Sequence, residues 1–184
     1  MLLCYSGDFV NKLYGYYLSS YKLDEEKDSE FFSLFADLWH TPEVQSLKQY
    51  PQHSDIDRLR HILSVTYVAY RLALDKNADP VQTVRGGILH DLFYYDWHDG
   101  DWSHRPHGYR HPGFALENAR KLTKLTPIEE NIIYRHMFPL TPIPPKYKEG
   151  LLVSFADKYC ATLELLIADN EKFRKKFEKD IYTK

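Results

Sequence analysis

Histidine and aspartate recur along this 184-residue chain as His61, the adjacent pair His90-Asp91, His111, His136 and Asp157, with His53 shortly upstream. Imidazole nitrogens and carboxylate oxygens hold Zn, Mn or Fe while leaving positions open for water or substrate. A lone inward histidine is more often a core residue satisfied by one hydrogen bond. Two inward aspartates reverse that balance, because a desolvated carboxylate is rarely tolerated without a positive partner. No inward Lys or Arg is evident on the helical periodicity, so metal ions are the expected source of charge. The expectation depends on whether these widely separated residues converge.

Helices would have to position them. Ile62, Val65, Val68, Ala69 and Leu72 repeat with the spacing of one helical face over about residues 55–75, and His61 falls on that face. Asp79-Pro80 reads as a cap with proline at the first helical position, opening a helix that carries Val84, Ile88, His90 and Asp91. Gly86 and Gly87 precede His90 by four and three residues, leaving room for a neighbouring helix or a ligand. A further helix is expected to begin near His111-Pro112. Another begins at Thr126-Pro127-Ile128-Glu129, with His136 turned toward the stripe of Ile132 and Ile133. A long helix, open to a break, covers about 147–180 and bears Asp157 between the small residues Ser154 and Cys160. Upstream, aromatic and Leu-rich segments at about 7–21 and 29–39 read as two helices joined by the charged run Asp24-Glu25-Glu26-Lys27-Asp28. Thr41-Pro42-Glu43 then starts a short helix.

No strand and no internal repeat is evident. The expected architecture is a single-domain, all-α helical bundle over residues 1–184. Its motif-bearing core lies at about 53–165, with helices from 1–50 and the C-terminal helix packed on it. Residues 94–110 lack apolar periodicity, yet their aromatic content argues against disorder, and a connector of that length is usually functional.

A hydrophobic content of 43% suits one globular unit with an enclosed site. The formal charge of -2 offers no global attraction for polyanions, which argues against a nucleic-acid polymer as partner. Cys4 and Cys160 are too few for a disulfide framework, the start lacks a basic leader, and no stretch is apolar enough to span a bilayer. A cytoplasmic protein with no membrane contact is expected. The basic run of residues 171–179 is interleaved with glutamate and reads as a solvated helix face.

Three stretches carry a resemblance: Arg60-His61-Ile62-Leu63-Ser64-Val65, Arg85-Gly86-Gly87-Ile88-Leu89-His90-Asp91 and Ser154-Phe155-Ala156-Asp157. Together they resemble the HD-domain metal-dependent phosphohydrolase superfamily, over about residues 53–165. His111-Pro112-Gly113-Phe114-Ala115 and Tyr134-Arg135-His136 look like the extra histidines of its dinuclear members. The resemblance implies one metal on His61, His90, Asp91 and Asp157 and a second on His111 and His136, with Asp91 bridging the two. A single metal on the first four residues is the alternative within the family. Tyr94 stands where many dinuclear members carry lysine.

Such a centre implies two divalent ions, Fe or Mn first, with Zn, Ni, Co or Mg also suited. It attracts phosphate, and water bound to such ions loses a proton near neutral pH. Hydrolysis of a phosphoester or phosphoanhydride of a small nucleotide-like substrate is therefore expected. Lys158, Arg110 and Arg135 flank ligands in sequence and are candidate phosphate clamps, although each is turned about 100° from its neighbour on a helix. Arg85 joins them by resemblance. His53 and His107 are candidate proton donors to the leaving group, while His98 and His104 read as exposed loop residues. Trp97, Trp102 and Tyr109 could stack a nucleobase or anchor the loop. The same ligand set is also similar to that of HD-domain di-iron oxygenases, and a non-catalytic nucleotide-binding module is the third reading.

Overall fold

The computed structural model describes residues 2–53 and 56–183. In chain order the helices are α1 (Leu2–Ser20), α2 (Ser29–Ser33), α3 (Ala36–Trp39) and α4 (Pro42–Gln45), followed by α5 (Arg58–Lys76) and α6 (Pro80–Leu89). Then come α7 (His107–Leu122), α8 (Pro127–Arg135), α9 (Lys148–Asp169) and α10 (Glu171–Thr183). Among the described residues the protein is all-α apart from one small element. Strands β1 (Pro51–His53) and β2 (Ile56–Asp57) pair antiparallel just before α5, where the sequence shows no strand pattern. A ladder this short has no apolar alternation to betray it.

Nearly every residue from 58 to 73 is buried, so α5 runs through the centre rather than along the surface. One of its faces supplies Ile62, Leu63 and Tyr67 to a core completed by Phe31, Phe32 and Phe35 and by Val84 and Ile88 of α6. The opposite face supplies Val65, Val68 and Leu72 to a second core with α1, α9 and Phe177 of α10. Asp57 starts α5 by accepting the Arg60 N–H at 2.8 Å. Asn77 ends it in the left-handed region at φ 51°, a conformation asparagine adopts more readily than most residues. Asp55, where the expected helix began, lies outside the described residues.

The expected caps are in place. Asp79 accepts the amides of Val81 and Gln82 at the start of α6, and Thr126 with Glu129 forms a reciprocal capping box at α8. The long C-terminal helix takes the break it was open to, at Asn170, but two other expected boundaries moved. The 29–39 segment forms two short helices. Helix α7 begins at His107, one turn before His111, so Pro112 lies inside it and forgoes the hydrogen bond its nitrogen would otherwise donate.

The glycine pair before His90 gives room to helices. A Cβ on Gly86 would stand 2.5 Å from Ile132 Cδ1 of α8, and one on Gly87 would stand 3.1 Å from Thr66 Oγ1 of α5. Replacement Gly86→Ala should therefore push α8 from α6 and lower folding stability by about 1–3 kcal/mol in chemical denaturation. An unchanged midpoint would show that α8 yields freely.

Candidate metal centre

Five elements bring the histidines and aspartates of the sequence motifs to one place. His61 lies in the first turn of α5 and His111 in the second turn of α7, while His90 and His136 terminate α6 and α8. Asp91 follows His90 directly, and Asp157 lies mid-way along α9. All six are buried. The C-terminal ends of α6 and α8 both meet here, and helix dipoles favour positive charge at such ends.

Each histidine ring is fixed by its Nδ1. His90 Nδ1–H donates to the Gly87 carbonyl at 2.7 Å, His136 to Ile133 at 2.7 Å, and His111 to His107 at 2.9 Å. His61 donates instead to the Glu164 carboxylate at 2.8 Å. Only an N–H can meet these oxygens, so in the neutral ring each Nε2 carries the remaining lone pair and faces inward. There His61 Nε2 lies 3.2 Å and His90 Nε2 3.9 Å from Asp157 Oδ1. His111 Nε2 and His136 Nε2 lie 3.2 and 3.5 Å from Asp91 Oδ1. Asp91 Oδ2 is turned the other way, 3.8 Å from His90 Nε2.

This donor set fits divalent cations. His90 Nε2 and Asp91 Oδ1 are buried without a hydrogen-bond partner, and the His111 and His136 Nε2 atoms face one another at 2.8 Å. Two neutral rings whose Nδ1 atoms both donate would oppose lone pairs there, an arrangement that a shared cation relieves. The triads His61, His90, Asp157 and His90, Asp91, His136 each have ligand atoms within 4.8 Å of one another.

Electrostatics point the same way. Burial alone would raise the Asp91 carboxyl, but the rings of His90 and His111 outweigh it and hold the group well below the usual carboxylate range. Asp157 is likewise held down against burial, chiefly by Lys158 and His61. Burial, with His111 and His90 adding to it, keeps His136 neutral and ready to ligate. For His61, burial is overridden by Glu164 and Asp157, which lift its pKa to about 10 and show how strongly this corner attracts positive charge.

A comparison with known families matches the HD domain to residues 58–162, more than half of the chain and the stretch that holds His61, His90, Asp91, His111, His136 and Asp157. The chain belongs to the HD domain family. It is also similar to the Bacillus subtilis (strain 168) protein named "Putative phosphohydrolase YueE", with 29% identity over 79 residues. That alignment covers 42% of this chain and 43% of the relative, so the two match over less than half the length of either. No solved structure matches the chain.

The HD motif residues rest on three further groups that the sequence did not reveal. Glu164, seven residues after Asp157 on α9, is fully buried and orients His61. Gln52 of β1 donates its amide N–H to Asp91 Oδ2 at 3.0 Å. Arg58, 0% exposed, donates Nε–H to Gln52 Oε1 at 2.9 Å, Nη1–H to the Phe93 carbonyl at 2.8 Å and Nη2–H to the Tyr95 carbonyl at 3.1 Å. Burial lowers the pKa of its guanidinium only to about 10, which leaves it charged. The inward basic residue that the periodicity did not show is thus Arg58, three residues before His61. The glutamate signal was the seven-residue spacing, and nothing in the sequence signals Gln52.

Of the rim candidates, the HD cleft gathers His53, Trp97, His107 and Lys158 along a cavity of about 240 Å³. Lys158 Nζ lies 2.9 Å from Asp157 Oδ2 and also contacts the His136 carbonyl. Burial, with a nearby ring adding to it, pulls His107 down to about 3 and lowers His53, so both present neutral imidazoles. Three expected clamps are not brought to the cleft. Arg85 is engaged by Glu129 at 2.9 Å and Asp37 at 2.6 Å. Arg110 packs over Phe114 and Arg135 over Tyr134, each turned away from its ligand neighbour. His104 is buried rather than exposed, stacked on Tyr95 at 4.0 Å, whereas His98 is exposed and paired with Asp96.

Replacement Gln52→Ala should free Asp91 and weaken divalent metal binding about 10- to 100-fold in calorimetric titration. Unchanged affinity would mean that Asp91 is held without Gln52.

Proposed function

We propose that this chain is a metal-dependent phosphohydrolase acting on a small phosphorylated, nucleotide-like substrate. The observation that carries the reading is the convergence of four imidazole Nε2 atoms and two buried carboxylates, of which His111, His136, Asp91 and Asp157 line a cleft that Lys158 also borders. Membership of the HD family and the name of the Bacillus relative support it.

The two oxygens of Asp91 face different histidines, which supports a dinuclear site with Asp91 as the bridge. In this reading His61, His90 and Asp157 complete one position and His111 with His136 the other. Divalent ions there, Fe or Mn by preference, would supply Lewis acidity and lower the pKa of water for attack on phosphorus. The chain's own part is to hold and orient. Lys158 presents a cation to phosphoryl oxygens, and Trp97 walls the cleft. Neutral His53 and His107 present ring nitrogens to the leaving side, and we assign them hydrogen bonding to substrate ahead of proton donation. Helix α1 packs on α5 and α10, which supports one HD-type unit over residues 1–184. Among the described residues no helix is long and apolar enough to cross a membrane. The buried free thiol of Cys160 supports placement in a reducing compartment, the cytoplasm.

Elemental analysis of protein purified without chelator, with a nucleotide-hydrolysis panel on the same sample, tests the reading. Two Fe or Mn per chain with phosphate release is the expected result. Two irons with oxygen consumption and no phosphate release would replace it with oxygenase chemistry.

The dinuclear assignment has its own test. His111→Ala and His136→Ala should each lower bound metal to about one ion per chain, and Asp91→Asn should remove both ions and all hydrolysis. Full metal content in both histidine variants would refute the second position.

A further inference from the structure

The four imidazoles at the metal centre are not backed alike. Nδ1–H of His90, His111 and His136 goes to a backbone carbonyl, whereas that of His61 goes to a carboxylate, Glu164 Oε2 at 2.8 Å. Glu164 lies about two helical turns after Asp157 on α9, beyond the stretch matched to the HD domain. It is 0% exposed, and its Oε1 has no hydrogen-bond partner. A carboxylate placed to tie helices together would spend both oxygens on donors. This one spends a single oxygen, on the ring that faces Asp157.

The surroundings direct its charge toward that ring. Cys160, one turn earlier on α9, and Tyr17 of α1 are both 0% exposed. Burial, with Glu164 adding to it, pushes the Cys160 thiol well above its ordinary value. His53 Nε2 stands 3.9 Å from Glu164 Oε2, and burial keeps that imidazole neutral. Arg60 gives its guanidinium to the Ser20 carbonyl at 2.8 Å, to Ser64 Oγ at 3.0 Å and to the face of Tyr21. On the same side of the centre Lys158 offsets Asp157, at 2.9 Å. The His111 and His136 rings have no such backing. Both face Asp91 Oδ1, and the other oxygen of Asp91 is held by the neutral amide of Gln52. Glu164 is thus the charge that distinguishes the two sides.

We infer that Glu164 is a positioning residue that makes the two metal positions unequal, so that the ion on His61, His90 and Asp157 is resident while the ion on His111 and His136 exchanges with the divalent cation supply. The inference deepens the dinuclear reading above and rests on it. An imidazole whose N–H is held by a carboxylate is a more basic donor through its other nitrogen. In a low-dielectric interior the added charge reaches the ion with little screening. Ligand count favours the same position, so the decisive observable is the dependence on Glu164 rather than the order of filling.

Titration of the full chain with Mn2+, the free ion being followed by paramagnetic resonance, resolves the two steps. Glu164→Gln leaves an oxygen to accept the His61 Nδ1–H and removes the charge. It should weaken the tighter step about 10- to 100-fold and leave the weaker step unchanged. A spectroscopic signature needs no variant. In Zn2+-loaded protein with 15N-labelled histidine, the Nδ1 proton of His61 should resonate downfield of those of His90, His111 and His136, because its hydrogen bond is charge-assisted. Four alike ring protons, or a Glu164→Gln titration that matches the parent or loses affinity equally in both steps, overturns the inference. A single step in the parent protein overturns the inequality together with the dinuclear reading, whereas two steps indifferent to Glu164→Gln overturn the inequality alone.

Discussion

The structure is organised around one electrostatic problem, which is that six side chains able to hold metal are buried together and most of them repel or strand one another. The Nε2 atoms of His111 and His136 meet at 2.8 Å, while His90 Nε2 and Asp91 Oδ1 have no hydrogen-bond partner. Such a cluster is expensive unless cations complete it, because a low-dielectric interior magnifies every unmatched charge and lone pair. The surrounding fold keeps the cluster from relaxing. Each ring is pinned at Nδ1, three of them by backbone carbonyls of their own helices, so rotation of a ligand would forfeit a hydrogen bond.

Pinning works only if the helices themselves stand close enough. The α6 glycines provide that approach, with Ile132 of α8 and Thr66 of α5 seated where side chains would otherwise be. Ser154 of α9 lies against the carbonyls of His136 and Phe138, tying the helix that bears Asp157 to the end of α8. The small residues beside the ligands thus serve helix packing.

How much of this was legible in the sequence follows from the range of the interactions. Local chemistry read well. The caps at Asp79 and Thr126 and the inward face of α5 depend on residues within a turn or two. The misplaced start of α7 has a local cause as well, since His111-Pro112 imitates a helix opening while the preceding turn carries no apolar signal. What could not be read is whatever needs a partner far along the chain. Arg58 looks like one more charged residue at a helix start until the carbonyls of Phe93 and Tyr95 arrive to receive it. The rim arginines failed for the complementary reason. Adjacency to a ligand in sequence places Arg110 and Arg135 on other helix faces, where they cover Phe114 and Tyr134.

Arg58 also joins the Asp91 site to the segment that follows α6. One guanidinium edge holds Gln52, which in turn holds Asp91, and the other holds the backbone at Phe93 and Tyr95 where the aromatic segment leaves the core. The Phe93 ring lies 3.6 Å beneath the same cation. Asp91 and the root of the segment bearing Trp97 and Trp102 therefore share a single buried anchor. A displacement of either has to pass through hydrogen bonds that have no water to replace them. The place of the aromatic segment beside Asp91 is accordingly a property of the core, set by β1, α5 and the turn after α6.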